Sequence, residues 1–463
     1  MKTKLFLLIL CVCHFHLTAQ KSFESHTKKD GLTSSEVTVT LVDSKGVVWI
    51  GTSNGLTAYS GSKWYALKNI EDSKSGKPKT IGRVNVLFED SKRNIWVGSS
   101  EGLFIYNSKY WTSFVKEDDD KFIPKFFMED RQGRLWITSE YLQVVNASAQ
   151  MNFSLSNGML HMYSGDRWVD FNDIIGGTSA IIPGYTTDYF TRLFQDSKGN
   201  IWLSSMEGAF EFDGVNWKTY KEKELKSEKV LFVLEDKDGN IWAAMDNGVA
   251  RQGTDGWKHY NKKDGLSGNR IVKLQQDNKI RIWAFAYNNL KFAGLGLFKE
   301  GKWQSFTKND FKLKDEVESL TMNGEDVIAF AKGGVAVFKS NGWYKYGKKD
   351  GLIDKEYSMI KKDRHGIWLA GENAFYQFNE GSWEQLLKAD GKWDVNVIFV
   401  ENKESIWLGT GRDGIYHYSE NKMEHFTEDS GLADDRILDI FKDKNEAVWI
   451  VSKLGVTLVH KDK

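Results

Sequence analysis

Beyond its first 19 residues the chain contains no cysteine, since Cys11 and Cys13 are the two present in all 463 residues. That excludes a disulfide scaffold, a thiolate metal centre and a thiol nucleophile from everything downstream. Proline is nearly as scarce, at Pro78, Pro124 and Pro183, so little interrupts a hydrogen-bonded ladder and no proline-rich disordered segment is present. No apolar run approaches the ~20 residues that a membrane-crossing helix needs. Charge of one sign is missing too. Basic and acidic residues number 63 each, and without Lys2 and Lys4 the balance is 61 to 63, a net of −2, with the two signs interspersed. Nucleic acid, which asks for a concentrated positive field, is therefore not an expected partner.

Lys2 and Lys4, the apolar run from Leu5 to Val12, and Leu17-Thr18-Ala19 before Gln20 read as a secretory signal peptide over residues 1–19. Residues 20–463 are then exported, to the periplasm, the cell surface or the extracellular space. A lipid anchor on Cys11 is the rival reading, disfavoured by the bulky Leu10 directly before it.

What the chain has in excess is tryptophan, and 17 of its 18 fall into two series. The first is Trp49, Trp96, Trp136, Trp202, Trp242, Trp283, Trp368, Trp407 and Trp449; the second is Trp64, Trp111, Trp168, Trp217, Trp257, Trp303, Trp343 and Trp383. In five units the second follows the first by 15 residues, and counting back 15 from Trp343 lands on Ile328, a unit whose first Trp is replaced. That makes ten units. First-series positions recur every 39 to 47 residues apart from one interval of 66, the period of propeller blades. Helical repeats are excluded because each unit is made of short alternating runs broken by turn signals. The recurring Asp-x-x-Gly turns, such as Asp43 to Gly46 and Asp236 to Gly239, end the first strand of a unit. Strands b and d carry the two tryptophans.

The last unit stops after strand c at Gly455 to His460, and Phe23-Glu24-Ser25-His26-Thr27 aligns with Trp303 to Thr307, a strand d. The expected fold is all-β: a single closed β-propeller of about ten four-stranded blades, with an N-terminal strand completing the last blade. Eight or nine blades, or two smaller rings, are the alternatives. One domain, residues 20–463, carries loop insertions at about 140–158, 172–189 and 286–293. A further excess at residues 71–80 is a d-to-a loop. All are expected on one face, the one bearing the b-to-c and d-to-a connections, where loops on a rigid scaffold usually carry binding.

The unit Leu193-Phe194-Gln195-Asp196-Ser197-Lys198-Gly199-Asn200-Ile201-Trp202-Leu203, with Asp-Gly-Leu return loops and Gly-Thr-Ser-Asn-Gly turns, closely resembles the two-component regulator propeller repeat. The resemblance covers essentially the whole exported chain. It implies the periplasmic sensor part of hybrid two-component systems, often a reader of oligosaccharides, or an exported scaffold of the kind found in Bacteroidota. Those sensors continue into a membrane helix and a kinase, and this chain ends at Lys463 with neither. The expectation is thus a ligand-binding propeller without a kinase of its own, recognising a small oligosaccharide or cell-envelope component. A protein-binding scaffold in envelope assembly or secretion is the second reading, and a polysaccharide-active lyase or hydrolase the third.

Candidate ligand-binding residues lie where the spacing fails. Trp393, outside both series, is suited to stacking on a sugar, or else fills the anchoring role of Leu266 and Leu352. Tyr287, Asn288 and Asn289 in the sixth unit, Arg412 and Asp413 in the ninth, and Tyr185 in the 172–189 loop offer aromatic, amide and ionic groups. Each also reads as an ordinary loop tip. No cofactor is expected. Asp236 to Asn240 lacks the oxygen set of a calcium loop, and the seven histidines beyond the leader stand at no metal-ligand spacing. No nucleophile elbow, phosphate loop or dinucleotide fingerprint appears, so no catalytic residue is nominated. A homodimer is compatible with the sequence.

Overall fold

The computed structural model describes residues 22–114, 122–148, 151–165, 167–171, 177–180, 190–288, 291–323, 326–339, 342–388, 391–420 and 422–460. The leader falls outside them. Ten antiparallel sheets follow one another along the chain, nine with four strands and one with a fifth strand added. Blade 1, for example, runs Val37–Val42, Val48–Thr52, Gly55–Ser60 and Lys63–Leu67 as strands a to d. Blade 10 takes strands a to c from Ile437–Lys442, Val448–Ser452 and Gly455–His460, and its strand d is Ser22–His26 from the other end of the chain. Phe23 lies opposite Val459 and His26 opposite Val456. The Glu24 carboxylate, between strands, accepts bonds from His26 Nε2 and His460 Nε2, both at 2.7 Å.

Ten clusters of buried apolar side chains fill the ten spaces between neighbouring blades. The one joining Val48 and Ile50 of blade 1 to Trp449 and Leu458 of blade 10 closes the ring. Each blade thus buries its faces against two neighbours, and closure leaves no open sheet face.

The two tryptophan series meet across these spaces. Trp49 of blade 1 lies edge-on to Trp111 of blade 2 at 6.2 Å, and Trp136–Trp217, Trp202–Trp257, Trp242–Trp303, Trp283–Trp343 and Trp449–Trp64 repeat the contact between 5.7 and 6.3 Å. The spacing of 15 within a unit is a matter of chain length; the packing partner comes from the next unit. Where the second Trp is absent, Met423 packs on the cluster of Trp368 and Phe23 on that of Trp407.

The turn aspartates do more than shape the turn. Asp43 Oδ1 accepts from the Lys45 and Val47 N–H groups, while its Oδ2 accepts from Trp49 Nε1 at 2.9 Å. Asp90, Asp130, Asp196, Asp236, Asp277, Asp363 and Asp443 hold their own blade's indole in the same way, as does Glu401 for Trp407, at 2.7 to 3.1 Å. A buried indole N–H needs an acceptor, and the carboxylate supplies it. Blade 7 has lost both partners together, with Ile328 at the Trp position and Met322 and Asn323 where the carboxylate would be. These carboxylates are occupied, and among the described residues no group of three or more His, Cys, Asp or Glu could hold a metal ion.

In most neighbouring pairs of blades the strands a touch one another, so these strands line the centre of the ring. Nine of the ten carry a bulge near their start, at Val37/Val39, Val84/Val86, Pro124/Phe126, Phe190/Arg192, Val230/Phe232, Ile271/Lys273, Tyr357/Met359, Val395/Val397 and Ile437/Asp439. The inserted residue reaches round the ring: Thr38 Oγ1 donates to Val84 O at 2.6 Å and Asn396 Nδ2 to Ile437 O at 2.8 Å. A bulge re-aims a side chain in this way while keeping the ladder. At the other end of strand a, Glu89, Glu129 and Glu235 accept from Ser44, Ser91 and Ser197 in the turn of the preceding blade.

Candidate functional site

Two b-to-c hairpins grow out of the ring. In blade 3 the paired strands run to Leu135–Ser148 and Met151–Tyr163, and Gly177–Ala180 adds alongside residues 155–158. In blade 6 they are Ile282–Asn288 and Lys291–Lys299. The excess at 71–80 behaves differently from expectation. It forms a small hairpin, Asn69–Glu71 with Pro78–Thr80, that folds back along the outer edge of blade 2. Ser73 N–H donates to Trp111 O at 2.9 Å and Ser113 N–H to the Asp72 carboxylate at 2.8 Å. This insertion satisfies edge groups that would otherwise stand open.

The return loops supply the floor of the same face. Lys28–Asp30, Lys262–Asp264, Lys348–Asp350 and Glu428–Ser430 form single 3-10 turns, each ended by a glycine with positive φ, such as Gly31 at 113°. The leucine that follows, Leu32, Leu266, Leu352 or Leu432, is buried between blades. Trp393 fills that anchoring place in the loop between blades 8 and 9. It is 7% exposed, its backbone N–H donates to Glu372 O at 2.8 Å, and its ring packs on Tyr416. An indole so covered presents little face for a sugar to stack on.

Above Trp393 the structure gathers Arg412, Asp413, Tyr416 and His425. Tyr416 OH donates to Asp413 Oδ2 at 2.5 Å, and the His425 ring stacks on Tyr416 at 4.2 Å with planes 6° apart. His425 Nε2 lies 2.7 Å from the Asp413 carbonyl, which fixes it as the donor nitrogen. Arg412 and Asp413 are exposed. Tyr416 and His425 were not nominated from sequence. Tyr416 gives no signal outside the repeat pattern, and His425 reads as one more strand-d histidine.

Three blades away, Tyr287 is half-buried against Phe292, which in turn meets Phe311 of the next return loop. Burial, then the nearby Glu316 and Glu318, push the Tyr287 hydroxyl above its ordinary pKa, so it keeps its proton and can donate. Asn288 is exposed at the hairpin tip. The candidates therefore form two separate groups. Asn289 and Tyr185 lie outside the described residues.

Blade 3 holds a constellation that the sequence did not reveal. Ser139 Oγ lies 3.0 Å from His161 Nε2, His161 Nδ1 bonds to the Asp170 carboxylate, and Trp168 Nε1 donates to the same carboxylate at 2.7 Å. The three residues come from strands b, c and d and are 31 positions apart from first to last, which hides them in the chain. Their order matches a Ser-His-Asp relay. Exposure argues for another role. Ser139 and His161 are each 1% exposed, which leaves the hydroxyl no open face for a substrate, and the bonds tie three strands together at the root of the long hairpin.

Among the described residues no helix is long and apolar enough to cross a membrane. A comparison with curated proteins found no match. The extracellular domain of a putative hybrid two component system from B. thetaiotaomicron is similar at 15% identity, over 95% of this chain and 83% of that one, with a TM-score of 0.34. A second such domain from that organism is similar at 18% identity, over 94% and 65%, with a TM-score of 0.28. PorZ, a surface component of the type-IX secretion system of Porphyromonas gingivalis, is similar at 12% identity, over 92% and 68%, with a TM-score of 0.32. Likeness at this level is no guide to ligand or partner. Residues 31–54 match the model of the two component regulator propeller family, and this segment holds the return-loop glycine, the Asp43 turn and Trp49, the parts repeated round the ring.

Proposed function

We propose that the protein is an exported ligand-binding propeller resembling the sensor part of two-component regulators, and that it recognises a small oligosaccharide or cell-envelope component on the face that bears the grown hairpins. The observation that carries this reading is the company the hairpins keep. Tyr287 and Asn288 in blade 6, and Arg412 and Asp413 with Tyr416 and His425 in blade 9, put hydroxyl, amide and ionic groups beside aromatic rings on that one face. Sugars offer the matching pair of surfaces, hydroxyl edges and C–H faces, and rigid strands hold the partners in place. The Ser139 hydroxyl, buried with His161, supports no enzymatic alternative in this reading.

Calorimetry against a panel of neutral and acidic oligosaccharides tests it. Heat with at least one glycan is expected, weakened roughly tenfold by Asn288→Ala or Arg412→Ala. Thermal unfolding should not change, since both side chains are exposed. No heat with any glycan, together with co-purification of an envelope protein, would replace sugar recognition by a scaffold role.

A further inference from the structure

The bulges place one residue of each strand a at the same level of the ring, just after the inserted one. Nine of these positions are occupied by Val39, Val86, Phe126, Arg192, Phe232, Lys273, Met359, Val397 and Asp439. Over blades 3 to 6 the order is aromatic, cation, aromatic, cation. Strand a begins where the d-to-a loop ends, so this arc lies at the mouth of the channel on the hairpin-bearing face.

Arg192 leans over Phe232, which packs on the cluster between blades 5 and 6, while Phe126 and Lys273 stand in solvent. The Arg192 guanidinium sits 4.3 Å from the ring centre of Phe232 in the next blade and 5.3 Å from that of Phe194 in its own. Lys273 Nζ lies 5.4 Å from the ring centre of Phe285. Phe126 is 47% exposed, which is unusual for so large an apolar ring, and Lys273 is exposed. Among the described residues no carboxylate pairs with Arg192 or Lys273. The one acid at this level, Asp439, belongs to blade 10. Burial holds Arg192 below its ordinary pKa, yet the guanidinium stays charged at any working pH. A half-buried cation that lacks a counter-charge is electrostatically incomplete, and an anion that brought one would be favoured there.

We infer that this arc is a binding site for an acidic oligosaccharide, whose carboxylates meet Arg192 and Lys273 and whose sugar face lies on Phe126. The inference rests on the oligosaccharide reading above and narrows it to a chemical class. It also extends the site from the hairpin tips to the channel mouth on the same face.

Calorimetry with tetragalacturonate, its methyl ester and neutral maltotetraose decides it. Tetragalacturonate should bind, the two uncharged probes far more weakly, and the affinity should fall as salt is raised. Arg192→Gln and Lys273→Gln should each weaken tetragalacturonate binding about tenfold or more, and Phe126→Leu should weaken it too. If Arg192→Gln unfolds the blade interface, Lys273→Gln, at an exposed site, still gives the answer. Equal affinity for acidic and neutral probes, or wild-type affinity in Lys273→Gln, would overturn the inference. Binding of a neutral glycan that survives both cation variants would remove this site while leaving oligosaccharide recognition intact; silence with every probe would remove both.

Discussion

The carboxylate beneath each strand-b indole is the feature whose removal has the most calculable effect, and blade 1 offers the cleanest case. Asp43 and Trp49 are each 4% exposed, and Asp43 accepts from two turn N–H groups and the indole. In Asp43→Ala the turn donors can turn to water, since Lys45 is exposed and Val47 half-buried, so together they contribute about 1 kcal/mol. The indole N–H faces the interior, and left unpaired it costs about 1–3 kcal/mol more. The expected loss is about 2–4 kcal/mol. Trp49→Phe removes the donor along with part of the ring, and in that background Asp43→Ala should cost only the turn component. The cycle should therefore show a coupling of about 1–3 kcal/mol. Guanidinium unfolding of the four proteins, followed by both circular dichroism and fluorescence so that a ring melting blade by blade is detected, gives the numbers. A coupling below about 0.5 kcal/mol would refute the account and return the aspartate to turn geometry alone.

Three further outcomes follow from the structure. Trp393→Ala should lower stability by about 3–5 kcal/mol, as loss of a buried aromatic does, and equilibrium unfolding measures it; a change under 1 kcal/mol would restore the indole as a surface group. Ser25→Pro removes the hydroxyl that lies 2.9 Å from Thr457 Oγ1 and fixes the backbone of the strand that closes the ring, so a lower Tm and self-association on size exclusion are expected. For Glu401, burial pushes the carboxyl up, but the bonds from Trp407, Ser405 and Lys442 outweigh it and hold the group below its ordinary value. Its stabilisation is then present above the ordinary glutamate pKa of ~4.3 and lost as pH falls through the lower folded-state value. The Tm difference between the protein and Glu401→Gln should shrink in that acid range, and a difference that stays constant down to pH ~3 would contradict the assignment.

The ring was legible in the chain because its determinants are local and repeated. Alternation, Asp-x-x-Gly turns and two tryptophans per unit each report on a few neighbouring residues, and ten copies let the eye subtract the noise. Even the closing strand could be found, since Phe23 to Thr27 is a strand d out of place. What stayed hidden was contact between units. Trp49 meets Trp111, and no spacing rule says whether an indole packs within its blade or on the next. The carboxylate that holds each indole was visible as a turn residue, but Glu401, one methylene longer, broke the pattern that would have shown its second bond.

The site was harder still, for a physical reason that the bulges expose. Side chains of a strand alternate with period two, and one inserted residue reverses the phase of everything after it. Arg192, Phe232 and Lys273 each stand ten residues before the first Trp of their unit, but plain alternation counted back from that Trp does not show which way they face, and a cation beside an aromatic looks like chance. With the bulge placed, they fall at one level on adjacent blades. Loop length, the cue that singled out Trp393 and Tyr287, reports where the chain has grown; it does not report where a closed ring points its side chains. In a propeller the second is set by the innermost strand, and there a single inserted residue per blade decides which way the groups at the channel mouth face.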